Sequence, residues 1–140
     1  MKHLYSIICS IIIIFASCSN KDHLSSFIDE DHIVFNEKIT KAAEDHLDWV
    51  YDPVSIVRTL FPFHKTEGKS RLIIEQVMDS QDFTTIILTH EGILDDSVSG
   101  EKRIIELKRI NGQWKIISIK LGFKCWENRG HTYYSGELCS

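Results

Sequence analysis

The chain has 140 residues, with 16 lysines and arginines against 20 aspartates and glutamates, a formal net charge of −4. That length fits one domain with room for a leader. A mildly acidic chain without a basic cluster argues against DNA, RNA or an anionic lipid surface as partner.

Residues 1–17 have the three parts of a secretory signal. Lys2 supplies positive charge beside His3, Leu4 to Ala16 form the apolar stretch, and Ala16 and Ser17 are small enough for a peptidase pocket. The apolar run is shorter than the roughly 20 residues of a spanning helix. It ends in Phe15-Ala16-Ser17-Cys18, and polar residues follow at once. This pattern resembles the lipobox of bacterial lipoproteins, with Phe15 where leucine is usual. A generic signal peptide with an incidental cysteine is the plainer alternative. The resemblance implies that Cys18 becomes the first mature residue, its thiol carrying a diacylglycerol and its amine a further acyl chain. Two or more chains anchor a protein stably where one holds it only marginally. The membrane would then be a partner through the lipid alone. The setting implied is the bacterial cell envelope, at the outer membrane, on its periplasmic or surface face.

Loss of the 17-residue leader, which holds Lys2 and no acid, leaves 123 residues with a net charge of −5. A chain of that size buries about two-thirds of the surface it exposes when unfolded. Residues 18–29 read as a polar tether and residues 30–140 as a single domain. Within the tether, Lys21-Asp22 resembles in part the surface-export signals of some Bacteroidetes lipoproteins. An ordinary solvated linker explains it equally well.

The first helix is expected from Asp31 or Asn36 to Val50, with Ile39, Ala43, Leu47 and Val50 on one face and Asp31 or Asn36 as cap. Asp52-Pro53 starts a second helix, since Asp52 can cap and proline suits the first position. Val54, Val57, Leu60 and Phe61 give that helix its apolar face, and Pro62 stops it. Lys65 to Arg71 is mixed in sign and reads as a solvated loop.

From Ser70 the period becomes alternating. Arg71–Met78 and Phe83–His90 read as paired strands around an Asp79–Asp82 turn. Glu91-Gly92 marks a bulge or kink, and Asp95 to Gly100 a polar turn. Arg103–Ile110 and Trp114–Leu121 form a hairpin at Asn111-Gly112, residues that tolerate the positive φ of a tight turn. Gly122 to Ser140 reads as irregular and aromatic.

Helices followed by strands define an α+β class, with the helices expected on one face of a curved four- to five-stranded antiparallel sheet. The order and the hairpin Arg109-Ile110-Asn111-Gly112-Gln113-Trp114-Lys115-Ile116 resemble the nuclear-transport-factor-like, cystatin-like rolls over residues 30–125. The tail is similar to a second group. Cys125-Trp126-Glu127-Asn128-Arg129-Gly130-His131-Thr132, closed by Cys139, looks like the C-terminus of small exported bacterial proteins, a resemblance that implies no activity. The Asp95-Asp96-Ser97 stretch fits the same group.

Four cysteines are present. Cys9 leaves with the leader and Cys18 is the lipidation candidate, so Cys125 and Cys139 remain as a pair suited to a disulfide in an oxidising compartment. Metal binding by that pair with His131 matches no zinc spacing, and no cofactor is called for. Arg129 and His131, with Trp126 and the nearby Tyr133 and Tyr134, form a candidate rim for an anionic or aromatic ligand. The alternative is that Arg129 pairs with Asp95 or Asp96 and the aromatics pack on the sheet. Asp95 and Asp96 could hold calcium or act as acid and base, yet neighbours on a strand point to opposite faces. No nucleophile elbow and no His-Glu-x-x-His pattern occurs. The residues therefore support a lipid-anchored, non-enzymatic domain that binds a protein partner or a small ligand. The alternative is a small enzyme with a pocket between helices and sheet.

Overall fold

The computed structural model describes residues 22–63 and 70–140. The leader, Cys9, Cys18 and most of the Lys65–Arg71 loop lie outside the described residues.

The first helix, α1, spans Ile33–Glu44, and the Asp31 carboxylate accepts the Ile33 amide at 2.9 Å. It was expected to reach Val50 and stops six residues earlier. His46 takes the left-handed conformation, φ 56°. Its amide bonds to the Ala43 carbonyl and the Leu47 amide to the Ala42 carbonyl. This is a Schellman termination. A 3-10 turn at Asp48–Tyr51 then buries Val50 and leaves Leu47 exposed. Helix α2, Pro53–Leu60, has the expected ends. The Asp52 carboxylate accepts the Ser55 amide at 2.8 Å, and Ile56, Val57 and Leu60 are buried.

Five strands follow one antiparallel order, β1-β5-β4-β3-β2. They are β1 (Ile28–Asp29), β2 (Arg71–Ser80), β3 (Phe83–Glu91), β4 (Val98–Ile110) and β5 (Gln113–Cys125). Strands β2 to β5 are a simple meander, and β1 crosses back to the free edge of β5. The α+β class holds. Three expected boundaries move. The β2–β3 turn is only Gln81-Asp82, because Asp79 and Ser80 continue β2 past a register shift. Strand β4 begins at Val98, inside the expected polar turn, and β5 runs to Cys125. Asn111 and Gly112 make the hairpin turn with φ of 51° and 79°, as a type I′ turn requires.

Ile86, Ile105 and Ile119 lie opposite one another across β3, β4 and β5, and Thr84, Leu107 and Ile116 form the next row. All six are buried. Ile116 and Ile119 are three apart, so strict alternation would turn one of them outward. A register shift between Glu106 and Leu107 restores the parity and leaves Ile117 exposed. The buried cluster also takes in Ile39 and Ala42 of α1 and Ile56, Val57 and Leu60 of α2. The Asn36 side chain donates to the Ile116 carbonyl at 2.8 Å and accepts from its amide at 2.9 Å. It thereby satisfies the edge of β5 beyond the reach of β1.

The segment expected to be tether is docked from Asp22 onward. Asp22 forms an ion pair with Lys102 and accepts the Tyr134 amide at 3.3 Å. The His23 amide donates to the Tyr134 carbonyl at 2.8 Å. The buried Phe27 ring occupies the space where a side chain at position 122 would begin, so Gly122 can sit within β5. Polar composition suggested a linker, but one aromatic residue and two strand residues find partners far along the chain.

Candidate functional site

Among the described residues, two places hold the candidate polar side chains, and they differ in how the charges are held. The first is a cavity of about 440 Å³ at the C-terminal end of α2. The cap at Asp52 and the stop at Pro62 fix where that helix ends, which sets Phe61 and Phe63 in one wall. Leu88, His90, Glu101 and Arg103 form the other. The register explains their grouping: His90 lies opposite Glu101 and Leu88 opposite Arg103. Residues two apart on a strand share a face, so all four project to the side that carries Ile86 and Ile105.

Arg103 organises the charges. Its Nε donates to Glu30 Oε2 at 2.8 Å and its Nη1 to Glu101 Oε2 at 2.9 Å. The guanidinium lies 5.4 Å from the Phe61 ring centroid. Burial alone would lower the Arg103 pKa, but the hydrogen bonds and charges of Glu30 and Glu101 outweigh it and raise the value. The cation is thus retained, a partly buried charge paired on two sides. His90 Nε2 lies 3.0 Å from Ser70 Oγ, and its ring meets Phe63 edge-on at 4.9 Å.

The second place is the tail. The Cys125 and Cys139 sulfurs lie at bonding distance, with their Cα atoms 5.5 Å apart. Both ring nitrogens of His131 face main-chain carbonyls, Nδ1 at 2.8 Å from Tyr133 and Nε2 at 3.1 Å from Glu137. The ring stacks on Tyr133 at 5.2 Å. Trp126 Nε1 donates to the Asp95 carbonyl at 2.9 Å. The Asp95 carboxylate accepts the Ser97 and Val98 amides. Those two hydrogen bonds, Val98 first, lower its pKa. Asp96 is exposed, and no ion pair joins Arg129 to either aspartate among the described residues.

The five residues singled out from sequence therefore meet only in part. Trp126 and Asp95 touch through a main-chain carbonyl, while His131 is turned into its own loop. The cavity beside the tail, about 470 Å³, is lined by Trp126, Lys124 and Glu91 but by none of Arg129, His131, Asp95 or Asp96. The donor atoms of Cys125, His131 and Cys139 lie within 4.8 Å of one another. Bonded sulfurs offer no thiolate, and His131 has both nitrogens engaged, so this trio does not fit a tetrahedral zinc site.

In the sequence His90 is one of several scattered histidines that no metal pattern joins, and nothing there singles out Glu101 or Arg103. Their signal was parity: each occupies an inward position of an alternating strand, next to Leu88 or Ile105. A larger and more open groove of about 630 Å³ follows the outer side of α1 past Asn36, Thr40 and Lys115. It gathers no paired buried charge, and Asn36 is already committed to Ile116, so the α2 cavity is the better candidate. No family model matches the chain, and no curated protein or solved structure does so.

Proposed function

We propose that the protein is a lipid-anchored exported domain, held in the bacterial envelope through Cys18, that binds a small ligand in the α2 cavity. The observation that carries the ligand reading is Arg103, held between Glu30 and Glu101 at the wall of a cavity faced by Phe61 and Phe63. Apolar walls with a few convergent polar groups are the usual make-up of a small-molecule site. The polar end of a ligand would meet Glu101, Arg103 and His90, and its apolar part Phe61, Phe63 and Leu88. We read the architecture as a cystatin-like roll, with α1 and α2 covering the concave face of the sheet. The mixed helix and strand membership of the buried cluster supports that reading.

A protein partner is the second binding reading, and catalysis is the alternative to binding. Catalysis by an acid–base pair would draw on His90 and Glu101, which share a face. His90 is engaged by Ser70 and forms no ion pair with Glu101, so ligand binding is the reading favoured here.

The experiment is a fluorescence titration of the soluble chain beginning at Ser19 with anilinonaphthalene sulfonate. Saturable binding is expected, with loss of that binding in Leu88→Trp, where the larger side chain fills the cavity, and retention in Val77→Trp on β2. Circular dichroism would establish that both variants fold. Equal binding by the two folded variants would refute the cavity as the site.

A further inference from the structure

The fixed position of Asp22 bears on how the domain sits at its membrane. From Asp22 onward the chain is tied to the fold by Lys102, by the main chain of Tyr134 and by the burial of Phe27. Only Ser19, Asn20 and Lys21 lie between that tie and the candidate lipidated cysteine. The four steps from residue 18 to residue 22 span at most about 14 Å even when fully extended. A leash that short lets only one end of the domain reach the bilayer.

That end has a distinct surface. Leu138 and Leu94 are the two most exposed large apolar side chains among the described residues, at 80% and 72%, and Leu24 is 51% exposed. Leu24 and Leu138 flank the contact in which Ser26 Oγ accepts the Gly136 amide at 3.0 Å. Leu94 precedes Asp95, whose carbonyl holds Trp126, and Trp126 follows the cysteine joined to Cys139. All four side chains thus belong to segments gathered near the end of the sheet where Val98 pairs with Cys125. Exposed apolar groups clustered at one place mark an interaction site. Trp126 is exposed and its one donor is held by the Asp95 carbonyl, so it offers the headgroup boundary its apolar ring.

We infer that the end carrying Leu24, Leu94, Trp126 and Leu138 rests on the bilayer that holds the anchor, its leucines entering the headgroup–acyl boundary. This placement rests on the lipid-anchor reading. Its driving force is apolar contact added to the acyl chains, which an acidic domain can use where electrostatic attraction fails. The ligand cavity would then keep a fixed orientation to the membrane.

The test uses full-length acylated protein reconstituted in vesicles of phosphatidylethanolamine and phosphatidylglycerol that carry nitroxide-labelled lipid. A nitrobenzoxadiazole probe is attached to Leu94→Cys or to Val77→Cys, the latter on the outer strand β2 toward its far end. The probe at 94 should lose its emission to the nitroxide and the probe at 77 should keep it. The additional change Leu138→Asp should restore part of the emission at 94. Vesicle-bound protein with both probes equally bright overturns the placement alone and leaves the face to a protein partner. Protein that fails to float with the vesicles overturns the anchor and the placement together.

Discussion

Tyr134 joins burial, charge and the docked N-terminus in one side chain. It is buried under Lys102, whose Nζ lies 4.4 Å from the ring centroid, and its hydroxyl has no hydrogen-bond partner among the described residues. Burial raises its pKa, and the charges of Glu91 and Asp22 raise it further against the opposing effect of Arg71. Unfolded tyrosine titrates near 10.0. Above that pH the unfolded chain loses a proton that the folded chain keeps. The contribution to stability is therefore complete below pH 10 and is lost progressively as pH rises beyond it. Tyr134→Phe removes an unpartnered hydroxyl and should stabilise the fold by about 1 kcal/mol at neutral pH. It should also flatten the alkaline loss, as read from urea midpoints on both sides of pH 10. A destabilised variant would mean that the hydroxyl has a partner. At this scale sequence and structure divide cleanly. The caps at Asp31 and Asp52 were legible because a carboxylate two or three residues before a free amide is a local relation. The pairing of Glu30 with Arg103 was not, because it joins residues 73 positions apart, and Glu101 becomes part of the cavity only through the strand register that sets it opposite His90.

At the scale of elements, the tail behaves as a clip. The Phe123 and Ser135 main chains exchange two hydrogen bonds, the Cys125 amide bonds to His131, and the Ser140 amide bonds to Arg129. The Cys125–Cys139 link encloses this segment with a sequence separation of 14. A loop of that size is worth about 3 kcal/mol by loss of unfolded-chain entropy. Replacing both cysteines with serine should lower the unfolding free energy by about that amount, and urea denaturation would measure it. An unchanged midpoint would show that the main-chain bonds alone hold the tail. The end of α1 teaches a complementary lesson. Leu47 and Val50 continue the helical period of Ile39 and Ala43, so the pattern promised a longer helix. The chain stops at a histidine in a left-handed conformation, a position that glycine would have advertised. The 3-10 turn that follows carries Val50 into the core.

At the scale of the whole molecule, the proposed anchor at Cys18 and the described fold make separate predictions. Among the described residues, contacts that tie the N-terminal segment to the fold begin at Asp22. Cys18→Ala should therefore release the protein from the membrane and leave its urea midpoint unchanged. Membrane retention by this variant, measured by fractionation and acyl labelling, would remove the anchor reading. A released protein with a lowered midpoint would place the anchor segment in the fold. Nothing in this depends on a spanning helix, and none of the described helices is long and apolar enough to be one.

By itself the sequence determined the elements whose causes are local. These are α2 between Asp52-Pro53 and Pro62, the Asn111-Gly112 hairpin, and an order of helices before the four-strand meander that gives the α+β class. Each depends on residues within a few positions, where capping, proline geometry and positive φ act. Only the tertiary structure decided the parity shift that buries both Ile116 and Ile119, the return of β1 to the edge of β5, and the assembly of His90, Glu101 and Arg103 beside Phe61. Those features depend on which strand lies next to which, and no short window of sequence carries that register.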